Sequence, residues 1–396
     1  MSVTIRDVAK AAGVSVKTVS RVINDEPWVH GDTRARVQRV IGDLNFHPNA
    51  LARGLNTNRM RTLGLIVPDI ANPFFAKGID GCATVAERQG YTLFLGSASD
   101  DADREASHIR ALLAQRVAGL ILWVSNLTEV ALHEIMHAMK HTCPAVFIDH
   151  PLDPAALDRR GYASLVVAQE RVGILATEHL LAEGRARIAH IGASGSGSGQ
   201  WVGDQRREGY LQALRAHHIE PDERLMCRVG HSTIREGASA AAALLAQCPR
   251  PDGLFAFNDL IAVGALLACQ QVNVRVPEDL AVVGVDDTEM AAVTHPPLTT
   301  IRLHQRRTGE QAATLLLELI GGVAASPSLA TPLSDVTQSE LPELVVRRSS
   351  TLRPVPTPSL DDIANAGGDG TALSPDPWLT GPPDPTRGSD GPAHSP

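Results

Sequence analysis

Three apolar runs of the chain end on acids or amides: Asp149 follows Val146-Phe147-Ile148, Asn258-Asp259 follow Leu254–Phe257, and Asp286-Asp287 follow Val282–Val285. An ionised carboxylate only accepts hydrogen bonds, so such groups gathered in one cleft suit a ligand rich in hydroxyl donors. The same cleft repels a phosphate or carboxylate, because burying like charges together is costly. A second cluster, near the N-terminus, has the opposite sign. Residues 1–61 hold ten Lys/Arg against five Asp/Glu, a charge of +5, and since the whole chain carries −8 the remainder carries −13. A basic head on an acidic body is the asymmetry expected when only the head meets phosphate. No nucleophile elbow, P-loop or metal-spaced His/Cys cluster is found, so no catalysis, cofactor or metal is expected. Gly192–Gly199 lacks the Gly-Lys-Ser/Thr of a phosphate cradle and reads as a flexible loop. His217-His218 read as solvated.

These groups need elements to position them, and 396 residues exceed one ordinary domain. With 43% hydrophobic and 20% charged residues the chain is of globular type. Cys82, Cys143, Cys227, Cys248 and Cys269 are dispersed, without C-x-x-C spacing, as reduced thiols are. Met1–Asp7 lacks the apolar run of a signal peptide, and no stretch approaches a membrane span. A cytoplasmic protein with no membrane partner is expected.

Strand candidates are Leu63–Val67, Thr92–Leu95, Gly119–Trp123, Ala145–Ile148, Arg187–Ile191, Gly253–Phe257 and Leu280–Val285. Most are apolar throughout, as strands covered on both faces are. Helical patterns at Phe75–Gln89, Arg104–Arg116, Val172–Ala182 and Leu260–Gln270 lie between them. Regular alternation implies doubly wound parallel α/β sheets, and so many units imply two subdomains. Ligands in such sheets sit beyond the carboxyl ends of strands, where the acids lie. From about residue 350 the chain turns rich in Pro, Gly, Ser and Asp, with ten of the 26 prolines in the last 46 residues, and reads as a disordered tail.

In the head, Thr4 and Asp7 form a capping-box-like start, Gly13 breaks the first helix, and Ser15 can cap a second whose apolar face is Val16/Val19/Val22/Ile23. A third helix carries Val37, Val40, Ile41 and Leu44. This is helix-turn-helix spacing, a pattern that other short three-helix domains share. The words are more specific. Thr4–Asn24, then Thr33-Arg34, Leu44-Asn45, Pro48–Arg53 and Leu55, closely resemble the head of lactose/galactose-repressor family regulators. The resemblance continues to about residue 348. It implies an all-α helix-turn-helix head over 1–48, a hinge helix and linker over 49–61, a periplasmic-binding-protein-like body over 62–348, and a tail over 349–396 outside the family.

The resemblance also assigns roles. The second helix would lie in the major groove, where Arg21 can pair bidentately with guanine, Lys17 can donate to guanine or phosphate, and Val16 offers an apolar contact. Thr18, Ser20, Asn24 and Thr33 would fix register on phosphates, and the capping residues Thr4 and Ser15 are also expected among the DNA-binding residues. Asn49, Ala52 and Leu55 belong to the hinge word, with Leu55 in the place of a minor-groove wedge. Read without the resemblance, Leu55 is a linker residue packed on the body. In the body the effector positions are Asn72, Phe74, Trp123, Asp149, Asn258 and Asp286, while Asp259 and Asp287 would cap loops or helices. One departure stands out: the family often has Arg five residues before the Gly of Gly209-Tyr210, and here Asp204 occupies that place and is expected to join Asp149 and Asp286 as an effector-binding carboxylate. A register slip would let Arg206 or Arg207 substitute. The implied function is a sequence-specific regulator, most simply a repressor, binding double-stranded operator DNA. It would act as a homodimer, with a tetramer left open, under control of a neutral sugar or polyol. A sugar-binding protein without a regulatory role is the alternative, and it leaves the head unexplained.

Overall fold

The computed structural model describes residues 3–23, 26–46, 61–99, 101–123, 127, 143–150, 161–194, 197–247, 250–325, 337–338 and 341–355. The head is three helices: α1 Ile5–Ala12, α2 Val16–Ile23 and α3 Gly31–Asp43. Asp7 Oδ2 accepts from Thr4 N (2.9 Å) and Thr4 Oγ1 (2.7 Å), closing the capping box. Gly13 ends α1 with a left-handed φ of 63° that a side chain would resist. Ser15 Oγ accepts from Thr18 N at 3.1 Å and starts α2. Val8, Ala9, Ala12, Val19, Val22, Val37 and Phe46 close the core. His30 precedes α3 without a side-chain cap, and Asp32 lies in the first turn of α3.

The body has two lobes. Lobe 1 orders its strands β2-β1-β3-β4-β5-β11, where β1 is Thr62–Val67, β2 Thr92–Ser97, β3 Gly119–Trp123, β4 Ala145–Ile148, β5 Tyr162–Val166 and β11 Thr337–Gln338. Lobe 2 repeats the order as β7-β6-β8-β9-β10-β12, with β6 Ile188–Ala193, β7 Met226–Val229, β8 Gly253–Ala256, β9 Ala281–Val285, β10 Thr299–Arg302 and β12 Glu343–Val345. All described pairs are parallel except β10 with β12. Helices α4 (Pro73–Arg88) and α5 (Ala102–Ala114) belong to lobe 1, and α6 (Gln169–Ala182), α7 (Gly197–Ala216), α8 (Ile234–Leu245), α9 (Asp259–Gln271) and the short α10 (Glu289–Val293) to lobe 2. The last long helix, α11 (Gln305–Ala325), returns to lobe 1 and packs Ala312, Ala313, Leu316 and Leu319 under its sheet. Apolar clusters cover both faces of both sheets, which is why the strands read as unbroken apolar runs. The chain therefore passes between lobes three times: after Val166, after Arg302, and between Gln338 and Glu343.

Helices cross in pairs at glycines. A methyl on Gly173 (α6) would drive into the carbonyl of Arg206, and one on Gly209 (α7) into that of Glu170. Gly81 and Gly309 join α4 to α11 in the same way, and Gly237 and Gly264 join α8 to α9. Backbones at such crossings touch directly, fixing the depth of each pair.

Two sequence boundaries shift. Gly192 and Ala193 lie in β6 and Gly197–Gly199 open α7, so Gly192–Gly199 is not one loop. The body also runs past residue 348, because Ser349, Ser350 and Thr351 are buried. Ser349 Oγ donates to Val282 O (2.6 Å) and accepts from Thr299 N (2.8 Å), and Ser350 Oγ meets Thr299 Oγ1 at 2.6 Å. Beyond residue 355 the proposed tail lies outside the described residues. A chain ending at residue 355 is therefore expected to keep its full melting temperature. One ending at residue 348 should lose about 2–4 kcal/mol, as two buried hydroxyl networks are left unpaired. Equal denaturant midpoints for the two truncations would refute this.

Candidate functional site

On α2 the buried residues are Val19 and Val22, which leaves the opposite face to solvent. Val16 and Lys17 are exposed there, and Arg21 is half-buried. Arg21 Nε lies 3.5 Å from Glu26 Oε2, a surface pair cheap to exchange for another acceptor. Thr4 and Ser15, expected both as caps and among the DNA-binding residues, spend their hydroxyls on the helix caps described above. Thr18, Ser20 and Thr33 are partly buried. Asn24, Asn49, Ala52 and Leu55 lie outside the described residues. Trp28, in the turn before α3, carried no sequence signal, yet it is 83% exposed.

The second site is a cavity of about 310 Å³ between the lobes. Lobe 1 contributes Asp69, Asn72, Phe74 and Asp149, and lobe 2 contributes Arg206, Phe257, Asn258 and Asp286. Asp149 follows β4 and Asp286 follows β9, the same position in the two repeated lobes. Both take positive φ, 54° and 118°, conformations that Asp tolerates better than most residues and that turn the chain at the strand ends. Gln305 at the start of α11 donates to the Asp286 carbonyl, so a lobe 1 helix holds the lobe 2 turn. Asn72 Oδ1 accepts from Phe74 N (3.0 Å) and Asn258 Oδ1 from Ile261 N (3.0 Å), each capping a helix and leaving its amide NH₂ free of that role.

Arg206 occupies the floor. It is 3% exposed, donates from Nε to Gln169 Oε1 at 2.8 Å and from a terminal nitrogen to Phe257 O, and lies 4.5 Å over the Phe257 ring. Burial lowers its pKa, opposed by the charges of Asp286, Asp149 and Asp259. Burial pushes Asp149 up to about 6 against hydrogen bonds from Val167 N and Gln169 and the Arg206 charge. Asp286 is raised well above the ordinary range by burial and then by Asp259, with Arg206 pulling it back.

Two of the expected site residues fall elsewhere. Trp123 is buried behind the cleft, edge-on to Phe74 and Phe75 with centroids 5.8 Å away. It occupies space that any side chain on Gly78 would fill, and so it packs rather than binds. Asp204 points outward and pairs with Arg228 at 2.5 Å. The register slip favours Arg206, while Arg207 pairs with Glu223 at 3.4 Å. Asp259 does not cap α9, whose cap is Asn258. Its oxygens instead accept from Thr288 N (2.8 Å) and Thr300 Oγ1 (2.6 Å) and pin the turn after β9. Asp287 is held by Arg302 (2.8 Å) and Arg347 (2.7 Å). Gln169, Ser194, His231 and Thr233 also line the cleft and carried no sequence signal of their own. Among the described residues no acidic, His or Cys group could hold a metal, and no helix is long and apolar enough to cross a membrane.

Residues 4–49 match the family of bacterial regulatory proteins of lacI type, and residues 177–350 match the periplasmic binding protein-like domain. The HTH-type transcriptional repressor PurR of Vibrio atlanticus is 35% identical over 318 residues, covering 80% of this chain and 92% of that protein. PurR of Aliivibrio fischeri strain MJ11 is 37% identical over 327 residues, with 80% and 91% covered. Among solved structures, the lac repressor dimer bound to operator and the anti-inducer ONPF superposes with a TM-score of 0.75 at 27% identity, covering 89% of this chain and 100% of that one. The transcriptional regulator CelR in complex with cellobiose gives 0.62 at 29% identity, covering 88% and 99%.

Proposed function

The chain belongs to the LacI family of bacterial regulatory proteins, and from that premise we propose a homodimeric repressor whose hold on operator DNA is set by a neutral sugar or polyol in the interlobe cleft. The family consists of transcriptional regulators, so the chain is not an enzyme. The observation that carries the ligand class is the cleft's charge. Asp69, Asp149 and Asp286 line it against Arg206 as the one guanidinium among its lining residues. Arg206 is already engaged by Gln169 and Phe257, so an anionic ligand would add to an acidic excess. Phe74 and Phe257 line the same space and suit the apolar side of a sugar. The CelR–cellobiose neighbour supports the same class. We place the boundaries at 48/49 and 61/62 as the sequence suggests, give Asn49, Ala52 and Leu55 the hinge role, and expect a cytoplasmic location. Calorimetry of neutral sugars against their acids and phosphates tests the reading. A sugar acid or phosphate bound more tightly than its neutral parent would overturn it.

The exposed α2 face supports a major-groove reading for Val16, Lys17 and Arg21. Arg21→Ala should cost about 1–3 kcal/mol at one base pair. Val16 and Lys17 variants should change operator preference more than total affinity. Selection from a randomised operator library checks this, and unchanged preference in those two variants would remove the assignment.

The cleft's titration gives a pH signature. The Asp149 carboxyl is raised to about 6, so its burial costs stability above that pH, and the cost disappears as the pH falls towards 4. A ligand hydroxyl donated to Asp149 favours the ionised form, and binding then expels a proton. Sugar affinity should be flat above about pH 7 and fall up to about tenfold per pH unit below 6. Asp286 and Arg206 face the same space and would shape the curve. Affinity that rises on acidification would contradict the contact.

A further inference from the structure

A second cavity, of about 390 Å³, opens at the outer edge of lobe 2 beside the edge strand β7. It shares no lining residue with the effector cleft. We propose that it is a separate ligand site for a small oxyanion that carries a hydroxyl, the chemistry of hydrogen phosphate.

Its walls include Arg207 from α7 and Arg228 from β7. Each guanidinium has five N–H donors, and one carboxylate cannot satisfy them all. Arg207 meets Glu223 at 3.4 Å and Arg228 meets Asp204 at 2.5 Å, both pairs partly exposed and therefore weak enough to be shared with an incoming anion. His190 supplies the discriminating group. It is 1% exposed, stacked between Tyr210 (centroids 5.3 Å) and Phe255 (4.7 Å). Its Nδ1 lies 3.0 Å from the Phe255 carbonyl, which can only accept, so Nδ1 carries the hydrogen. Nε2 is then a bare acceptor, buried and without a hydrogen-bond partner. Leaving such an atom unmet is costly, and a ligand O–H would meet it. Gly192 keeps the approach open: a Cβ there would stand 3.2 Å from His190 Nε2 and 3.7 Å from Arg228 Cγ. The effector cleft uses none of these side chains.

The test is calorimetry on the full chain with inorganic phosphate and sulfate at pH 7.5 and matched ionic strength. Sulfate has the same shape but no O–H at that pH. Phosphate should bind at one site at least tenfold tighter than sulfate. Arg207→Gln and Arg228→Gln should each weaken phosphate at least tenfold and leave sugar binding unchanged. His190→Phe, which keeps a stacked ring, should bring phosphate and sulfate to equal affinity. Equal affinities in the unmodified protein would overturn the proposal. So would phosphate binding that survives both arginine changes, or that is lost instead in Arg206→Met, since it would then belong to the effector cleft. Should His190→Phe fail to fold, the phosphate-to-sulfate ratio and the two arginine variants still decide.

Discussion

Arg206→Met is expected to weaken effector binding about 100- to 1,000-fold while leaving operator affinity intact. The side chain is buried with its donors aimed at Gln169 and Phe257, and its charge is felt by both Asp149 and Asp286. Removing one partner from a buried charge cluster costs about 3–5 kcal/mol. Most of that should appear as lost affinity, not lost folding, because the two carboxyls are raised by burial and can take up protons once the guanidinium is gone. Asp286→Ala should likewise abolish the effector response. Asp204→Ala is the informative contrast, since that carboxylate points away to Arg228 and its loss should change sugar affinity less than twofold. Titration of all three variants with sugar and with operator checks the set. An Arg206→Met protein with native sugar affinity would show that the guanidinium only packs.

Gly209→Ala should be among the most damaging single methyls in lobe 2. Its Cβ would enter the carbonyl of Glu170, and both neighbouring obstacles are backbone, which cannot swing aside. Helices α6 and α7 must then separate, at about 2–4 kcal/mol, a melting-temperature drop of several degrees. Arg206 lies one turn away on α7, so the separation should also loosen the cleft and lower effector affinity. Gly321→Ala on α11, where nothing lies within 4 Å, is the control and should be neutral or stabilising by up to about 1 kcal/mol. Equal melting temperatures for the two variants would refute the crossing argument.

Much of this architecture is legible in the sequence because its strands are buried on both faces. The runs at 63–67, 119–123, 145–148 and 281–285 have no polar residue to mask them. Strand β10 was invisible because its residues Thr299 and Thr300 are buried only with partners some 40–50 residues away, Asp259 and Ser349 among them. Strand β7, Met-Cys-Arg-Val, is an edge and keeps a polar member. The site acids at 149 and 286 were readable from their places after apolar runs. Asp204 and Trp123 misled for reasons of parity and fill. Two residues along a helix rotate a side chain by about 200°, so a start of α7 among Gly197-Ser198-Gly199 decides which residue points inward. Trp123 faces the core because Gly78, some 45 residues earlier, leaves room for its ring.

The three passages between lobes bear on synthesis. Lobe 2 is nearly complete in a continuous stretch, whereas lobe 1 waits for α11, whose Ala312, Ala313 and Leu316 cover the inner face of its sheet. Between the emergence of β5 and that of α11 lie about 140 residues, roughly 7–28 s of translation at ordinary rates. During that interval the part of the sheet bearing Val146, Ile148 and Leu165 lacks the helix that covers it in the finished protein. The nascent chain therefore presents a chaperone-binding surface that the finished protein does not have, and its yield should depend on holdase supply more than its equilibrium stability does.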